Sequence, residues 1–193
     1  MPSRQESTPE AAENLKEWLK RVGYEESRTV EKLMEHIFLA EVLQECWFQR
    51  RQIIEVLRAE VDAAGYDIVL EAASKIRHVQ LKASRQGGKT SKQTINTRLV
   101  DRVGGCVVWI AYQVDEEKGR ADLKYRWWDS ETQDLPKTPG RNTHTGKERP
   151  NTFVLRKSDF ELIGETGTLV DRLFGPGPQL SGETITLYAS GAA

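Results

Sequence analysis

The sequence predicts a mixed α/β domain: a central β-sheet flanked by helices. Three observations predict it. The short apolar run Ile68-Val69-Leu70 and the alternating run over residues 76–84 are joined by a short turn, as paired strands of a hairpin are. Cys106-Val107-Val108-Trp109-Ile110-Ala111-Tyr112 is apolar without alternation and bounded by glycines and charges, the pattern of a central strand covered on both faces. Over residues 29–48, Leu33, Met34, Ile37, Phe38, Leu39, Val42, Leu43, Cys46 and Trp47 nearly encircle a helix, which must then be largely buried.

The elements follow in order. Residues 1–7 read as disordered. Thr8 is placed to cap a helix with Pro9 at its first position and Gly23 as its stop, giving an amphipathic helix over 9–22 docked by Trp18 and Leu19. The buried helix over 29–48 comes next. Residues 53–62 read as either a helix end or a first strand, and Ala63-Ala64-Gly65 as a turn into the hairpin. After Ser84, Arg85-Gln86-Gly87-Gly88-Lys89 forms a loop leading to a helix over 90–102, with Ile95, Leu99 and Val100 facing inward. Gly104-Gly105 breaks the chain before the central strand. Residues 123–128 form its antiparallel neighbour. Residues 132–152, rich in Pro, Gly, Thr and bases, read as one long loop, a kind usually functional or mobile. A strand within 153–162, a short amphipathic helix around Leu169, Val170, Leu173 and Phe174, and a strand over 184–188 complete the reading. The chain divides into a tail and helix (1–28), a core (29–130) and a basic loop with an extension packed on that core (131–193).

At 193 residues, 38% hydrophobic and 30% charged, the chain suits one soluble domain. No apolar run approaches the ~20 residues of a membrane helix. The first residues lack the apolar core of a signal peptide, so no membrane partner and a cytoplasmic location are expected. Cys46 and Cys106 sit in apolar segments and read as buried free thiols, and His36, His78 and His144 show no zinc spacing.

The net charge of −1 hides a partition. Residues 31–71 carry nine acids against four bases. Residues 77–102 carry Arg77, Lys82, Arg85, Lys89, Lys92, Arg98 and Arg102 against Asp101, and residues 136–157 carry six bases against Glu148. Bases flanking an acidic region suit a polyanionic substrate, because neutralising phosphates releases counterions; solvated faces are the plainer account.

Alternation puts His78, Gln80, Lys82 and Ser84 on one face of the second hairpin strand. Asp67 opens the first strand. An acid, an amide oxygen and an ammonium at one sheet surface are what a hard divalent cation and a phosphodiester call for.

With Asp67 followed by Gln80-Leu81-Lys82, residues 33–128 resemble the PD-(D/E)XK superfamily of restriction-endonuclease-like nucleases. Two departures stand out: Tyr66 where the family has proline, and Gln80 in place of the second acid. The resemblance implies an enzyme hydrolysing DNA phosphodiesters with Mg²⁺ or Mn²⁺, in defence or repair. In it, Asp67, the Gln80 amide oxygen and the Leu81 backbone carbonyl hold the metal, and Lys82 orients or deprotonates water. A glutamate of the first core helix joins them: Glu41, with Glu35 and Glu45 as rivals, or else Glu41 is paired with Arg50 or Arg51. Glu71 and His78 lie alongside. Lys89, Lys92, Arg98 and Arg85 are the implied phosphate contacts, with Tyr125, Trp127 and Trp128 either stacking on bases or in the core. Members often act as dimers, so a homodimer is among the implied partners.

Two other functions compete. A decayed site would leave a nucleic-acid-binding or structural domain. Ala83-Ser84-Arg85-Gln86-Gly87-Gly88-Lys89-Thr90, between a strand and an expected helix, has the spacing of a nucleotide-binding P-loop with alanine for its first glycine.

Overall fold

The structure is a computed structural model describing residues 17, 18, 21, 27–59, 65–142 and 144–177. Of the first expected helix, Glu17, Trp18 and Arg21 are helical; the rest of it, residues 1–7, Ala63-Ala64 and the strand over 184–188 lie outside the described residues.

Helix α1 (Ser27–Gln44) continues into a π-helical turn, Glu45–Gln49. A six-stranded sheet follows: β1 (Glu55–Arg58), β2 (Ile68–Ala72), β3 (Lys75–Arg85), β5 (Gly105–Asp115), β6 (Arg120–Asp129) and β9 (Glu161–Ile163), side by side in that order. β3 and β5 pair in parallel and every other pair is antiparallel, so the sheet is mixed. Residues 53–62 thus hold a strand. The expected hairpin is β2–β3, and β5 is interior.

The unbroken apolar run in β5 has a direct cause. Cys106, Val108 and Ile110 pack into a core with Phe38, Leu39 and Val42 of α1 and with Leu169, Val170 and Leu173 of α2 (Thr166–Phe174). Val107 and Trp109 pack on the opposite face with Ile95, Leu99, Trp128, Leu155 and Phe160. Helices cover one face; what covers the other departs from expectation.

That cover is a second, three-stranded sheet of β4 (Lys92–Asn96), β8 (Glu148–Arg156) and β7 (Pro139–Arg141), with β8 in the middle. The helix expected over 90–102 is instead strand β4 and a 3₁₀ turn at Thr97–Leu99, capped by Asn96 Oδ1 accepting from the Arg98 amide at 3.0 Å. Local apolar spacing fits a helix there, but β8, more than fifty residues on, supplies a ladder that local pattern cannot foresee. Likewise, the long loop over 132–152 holds β7 and the start of β8. Gly140 is needed there, since a Cβ would lie 2.2 Å from Thr152 Oγ1.

Two arginines, Arg50 buried and Arg77 partly so, fasten α2. Arg77 donates to the carbonyls of Leu173 and Arg172 at 2.8 and 3.1 Å, where the helix dipole favours a cation, and Arg50 donates to the Gly167 carbonyl at 2.7 Å. No described helix is long and apolar enough to cross a membrane.

Candidate active site

β2 begins at Ile68, opposite Val79, whereas β3 runs on to Arg85 while still paired with β5. The β2 side of β3 therefore opens from Gln80 onward. Asp67, the residue before β2, sits at this opening. Its amide donates to the Val79 carbonyl at 2.9 Å, and its Oδ2 accepts the Leu81 amide at 2.6 Å. A cleft of about 470 Å³ lies there, bounded by Asp67, Leu81, Lys82 and Ala83, by Gln93 of β4 and by Arg28, Glu31, Lys32 and Glu35 of α1.

Lys82 lines this cleft with Asp67. It is half-buried and makes no hydrogen bond or ion pair with any described residue. Ammonium groups withdrawn from water ordinarily take a carboxylate partner. Glu35, 8% exposed, is fully engaged: Arg58 Nη1 donates to Oε1, and Lys32 Nζ to Oε2 at 2.6 Å.

Glu41 does not reach the cleft. Its Oε2 accepts from the Tyr125 hydroxyl and, at 2.7 Å, from Thr166 Oγ1, so it ties α1 to β6 and α2. This corrects the expectation that Glu41 is the helix glutamate beside Asp67. Six residues turn a helix by about 600°, so Glu41 points about 120° away from Glu35. Nor does Arg50 or Arg51 pair with it; Arg50 bonds Glu45 at 3.2 Å and Asp171 at 2.9 Å, which also removes Glu45 from the cleft. The stripe Arg28, Glu31, Lys32, Glu35, spaced i, i+3, i+4, i+7, was the sequence signal for the helix wall of the cleft.

Gln80, Lys82 and Ser84 share a face, as the alternation requires, and that face meets the second sheet. Gln80 Oε1 accepts the Asn96 amide at 3.3 Å, and Ser84 Oγ accepts from Trp109 Nε1 at 2.8 Å. His78 Nδ1 lies 2.8 Å from the Val103 carbonyl, and its ring meets Tyr66 edge-on. Glu71 is exposed near the far end of β2. Tyr125, Trp127 and Trp128 are all core residues. Arg85, Lys89, Lys92 and Arg98 are exposed, the first three along the β3–β4 turn.

The P-loop reading fails on context. Gly87 lies in a turn, and β4 follows where a phosphate-cradling loop needs a helix N-terminus.

Asp67, Glu35 and Glu31 are hard oxygen donors on one cleft, fitting in kind a Mg²⁺ ion, which commonly takes one or two carboxylates, waters and substrate phosphates. Among the described residues, no group of three or more His, Cys, Asp or Glu side chains is gathered to hold an ion.

No protein-family profile matches the chain, and no curated protein does. Among solved structures it is similar to a Holliday junction resolvase of the archaeal hyperthermophile Archaeoglobus fulgidus, at 12% identity and a TM-score of 0.37, over 68% of this chain and 98% of that one.

Proposed function

We propose that the chain is a Mg²⁺- or Mn²⁺-dependent nuclease of restriction-endonuclease-like type that hydrolyses DNA phosphodiesters at the Asp67–Lys82 cleft. One observation carries this reading: Lys82 is half-buried and uncommitted among the described residues, in the same cleft as Asp67.

Asp67 and Glu35 are the carboxylates that would hold the ion, with Glu31 at the rim; the Leu81 carbonyl and the Gln80 amide oxygen complete the proposed set. A bound divalent ion supplies Lewis acidity, polarising the scissile phosphate and making a nearby water more acidic. Lys82 Nζ donates to that water or to a non-bridging phosphate oxygen, fixing the line of attack and offsetting the charge that builds as the bond breaks. Leu81 N–H holds Asp67 to the strand that carries Lys82, so the two groups keep their spacing without substrate. Gln93, on the opposite wall, closes the cleft from the second sheet.

A plasmid-nicking assay with Mg²⁺ or Mn²⁺ tests this. Wild type should nick, and Lys82→Ala and Asp67→Asn should each lose about 10²–10⁴-fold in rate. Undiminished nicking by Lys82→Ala overturns the assignment.

A second reading, a DNA-binding domain without turnover, draws on the engagement of Gln80 with Asn96 and of Glu35 with Arg58 and Lys32. Salt-sensitive binding with no nicking in either metal would select it.

A further inference from the structure

Beyond the cleft, the second sheet brings together two basic stretches that are distant in sequence. β4 and β8 pair so that Lys92 stands opposite Arg156, both exposed. Directly opposed like charges across a strand pair are unfavourable. Lys157 follows, its amide donating to the Ser91 carbonyl at 2.8 Å, and Lys89 lies in the turn leading into β4. None of the four makes an ion pair with a described residue. Asp159 is the acid at this spot, with Oδ2 spent on the Arg156 amide at 2.7 Å and Oδ1 on Ser158 Oγ at 3.3 Å. Alternation turns Lys92 and Arg156 away from Gln93, whose register partner Leu155 is in the core, so this strip lies on the outer face of the second sheet.

We propose that Lys89, Lys92, Arg156 and Lys157 form one phosphate-contacting strip that holds a DNA backbone on the outer face of the second sheet. The inference rests on the nuclease reading above and adds Arg156 and Lys157, which join the strip only through the β4–β8 pairing. Repulsion between Lys92 and Arg156 is relieved when a phosphate lies over both. Each contact made releases counterions, so affinity must fall with salt in proportion to the number of contacts.

The test is fluorescence anisotropy with a labelled DNA duplex, in EDTA so that no cleavage intervenes, across a salt series. Lys92→Gln/Arg156→Gln should lower the slope of log affinity against log salt by about two. Lys89→Gln/Lys157→Gln, off the paired positions, should do the same and guards against a folding defect in the first pair. Lys75→Gln, at the end of β3 remote from the turn that carries Lys89, should leave the slope unchanged. An unchanged slope in both double variants overturns the strip, as does an equal drop in Lys75→Gln. So does equally tight, equally salt-sensitive binding to phosphatidylserine vesicles, which would assign the bases to a lipid surface. Wild-type nicking is scored separately: nicking with unchanged slopes sinks the strip alone, and reduced slopes without nicking sink the cleavage reading alone.

Discussion

Asp67 Oδ2 accepts the amide hydrogen of Leu81 at 2.6 Å, bonding the acid to the strand position next to Lys82. One hydrogen bond therefore couples the first residue of the hairpin to the motif on its second strand. Asp67→Asn keeps an acceptor in that place, whereas Asp67→Ala leaves the half-buried amide without its partner. The alanine variant should lose about 1–3 kcal/mol of stability and the asparagine variant much less, read by urea unfolding. Equal losses would show that the bond is not what holds this corner.

Glu41→Ala should destabilise without acting on the cleft. It strips the acceptor from the buried Tyr125 hydroxyl and from Thr166, at a cost of about 1–3 kcal/mol, and lowers Tm by several degrees. Burial and the neighbouring Glu41 carboxylate both hold the Tyr125 hydroxyl protonated far above its usual range, so it stays a donor throughout. Nicking per folded molecule should match wild type; a selective loss would return Glu41 to the site.

Arg58 occupies an oxygen of Glu35 that the proposed ion would need. Arg58→Gln should destabilise the apo chain, because it leaves a buried carboxylate with Lys32 alone. Added Mn²⁺ should then raise Tm more in the variant than in wild type, since a ligand that binds only the folded state stabilises it by mass action. An equal Mn²⁺ response in both argues that Glu35 does not meet the ion.

Burial raises the pKa of both thiols, Cys106 the more strongly, so neither forms much thiolate at neutral pH. A thiol-reactive chromogen should titrate neither Cys46 nor Cys106 in the folded chain and both after denaturation. Rapid reaction of either in buffer would contradict the packing described.

Arg172 holds the Glu161 carboxyl below its usual range through hydrogen bonds of 2.9 and 2.6 Å. A depressed folded pKa gives stability that is present above the unfolded value and lost as pH falls through the folded one. Both side chains are substantially exposed (40% and 46%), so screening leaves a few tenths of a kcal/mol at most. Glu161→Gln should lower Tm by about 1 °C at neutral pH, less in high salt, and not at all once the carboxylate is protonated. A deficit that persists in acid would mean the side chain acts through packing.

The sequence by itself determined the elements whose pattern is local. The apolar run at 68–70 and the alternation over 76–84 specified β2 and β3, the unbroken apolar run at 106–112 specified a strand buried on both faces, and apolar residues around 29–48 specified α1, because period and burial are written in neighbouring residues. The tertiary structure decided the rest. Whether residues 92–96 are helix or strand depended on β8, far along the chain, and that one pairing also removed the P-loop context. Which α1 glutamate faces Asp67 depended on how the helix is rotated on the sheet: composition makes Glu35 and Glu41 equivalent, and only packing puts one at the cleft and the other under Tyr125. The same holds for Gln80, whose face the alternation identified but whose partner, the Asn96 amide, belongs to a strand that local pattern read as helix.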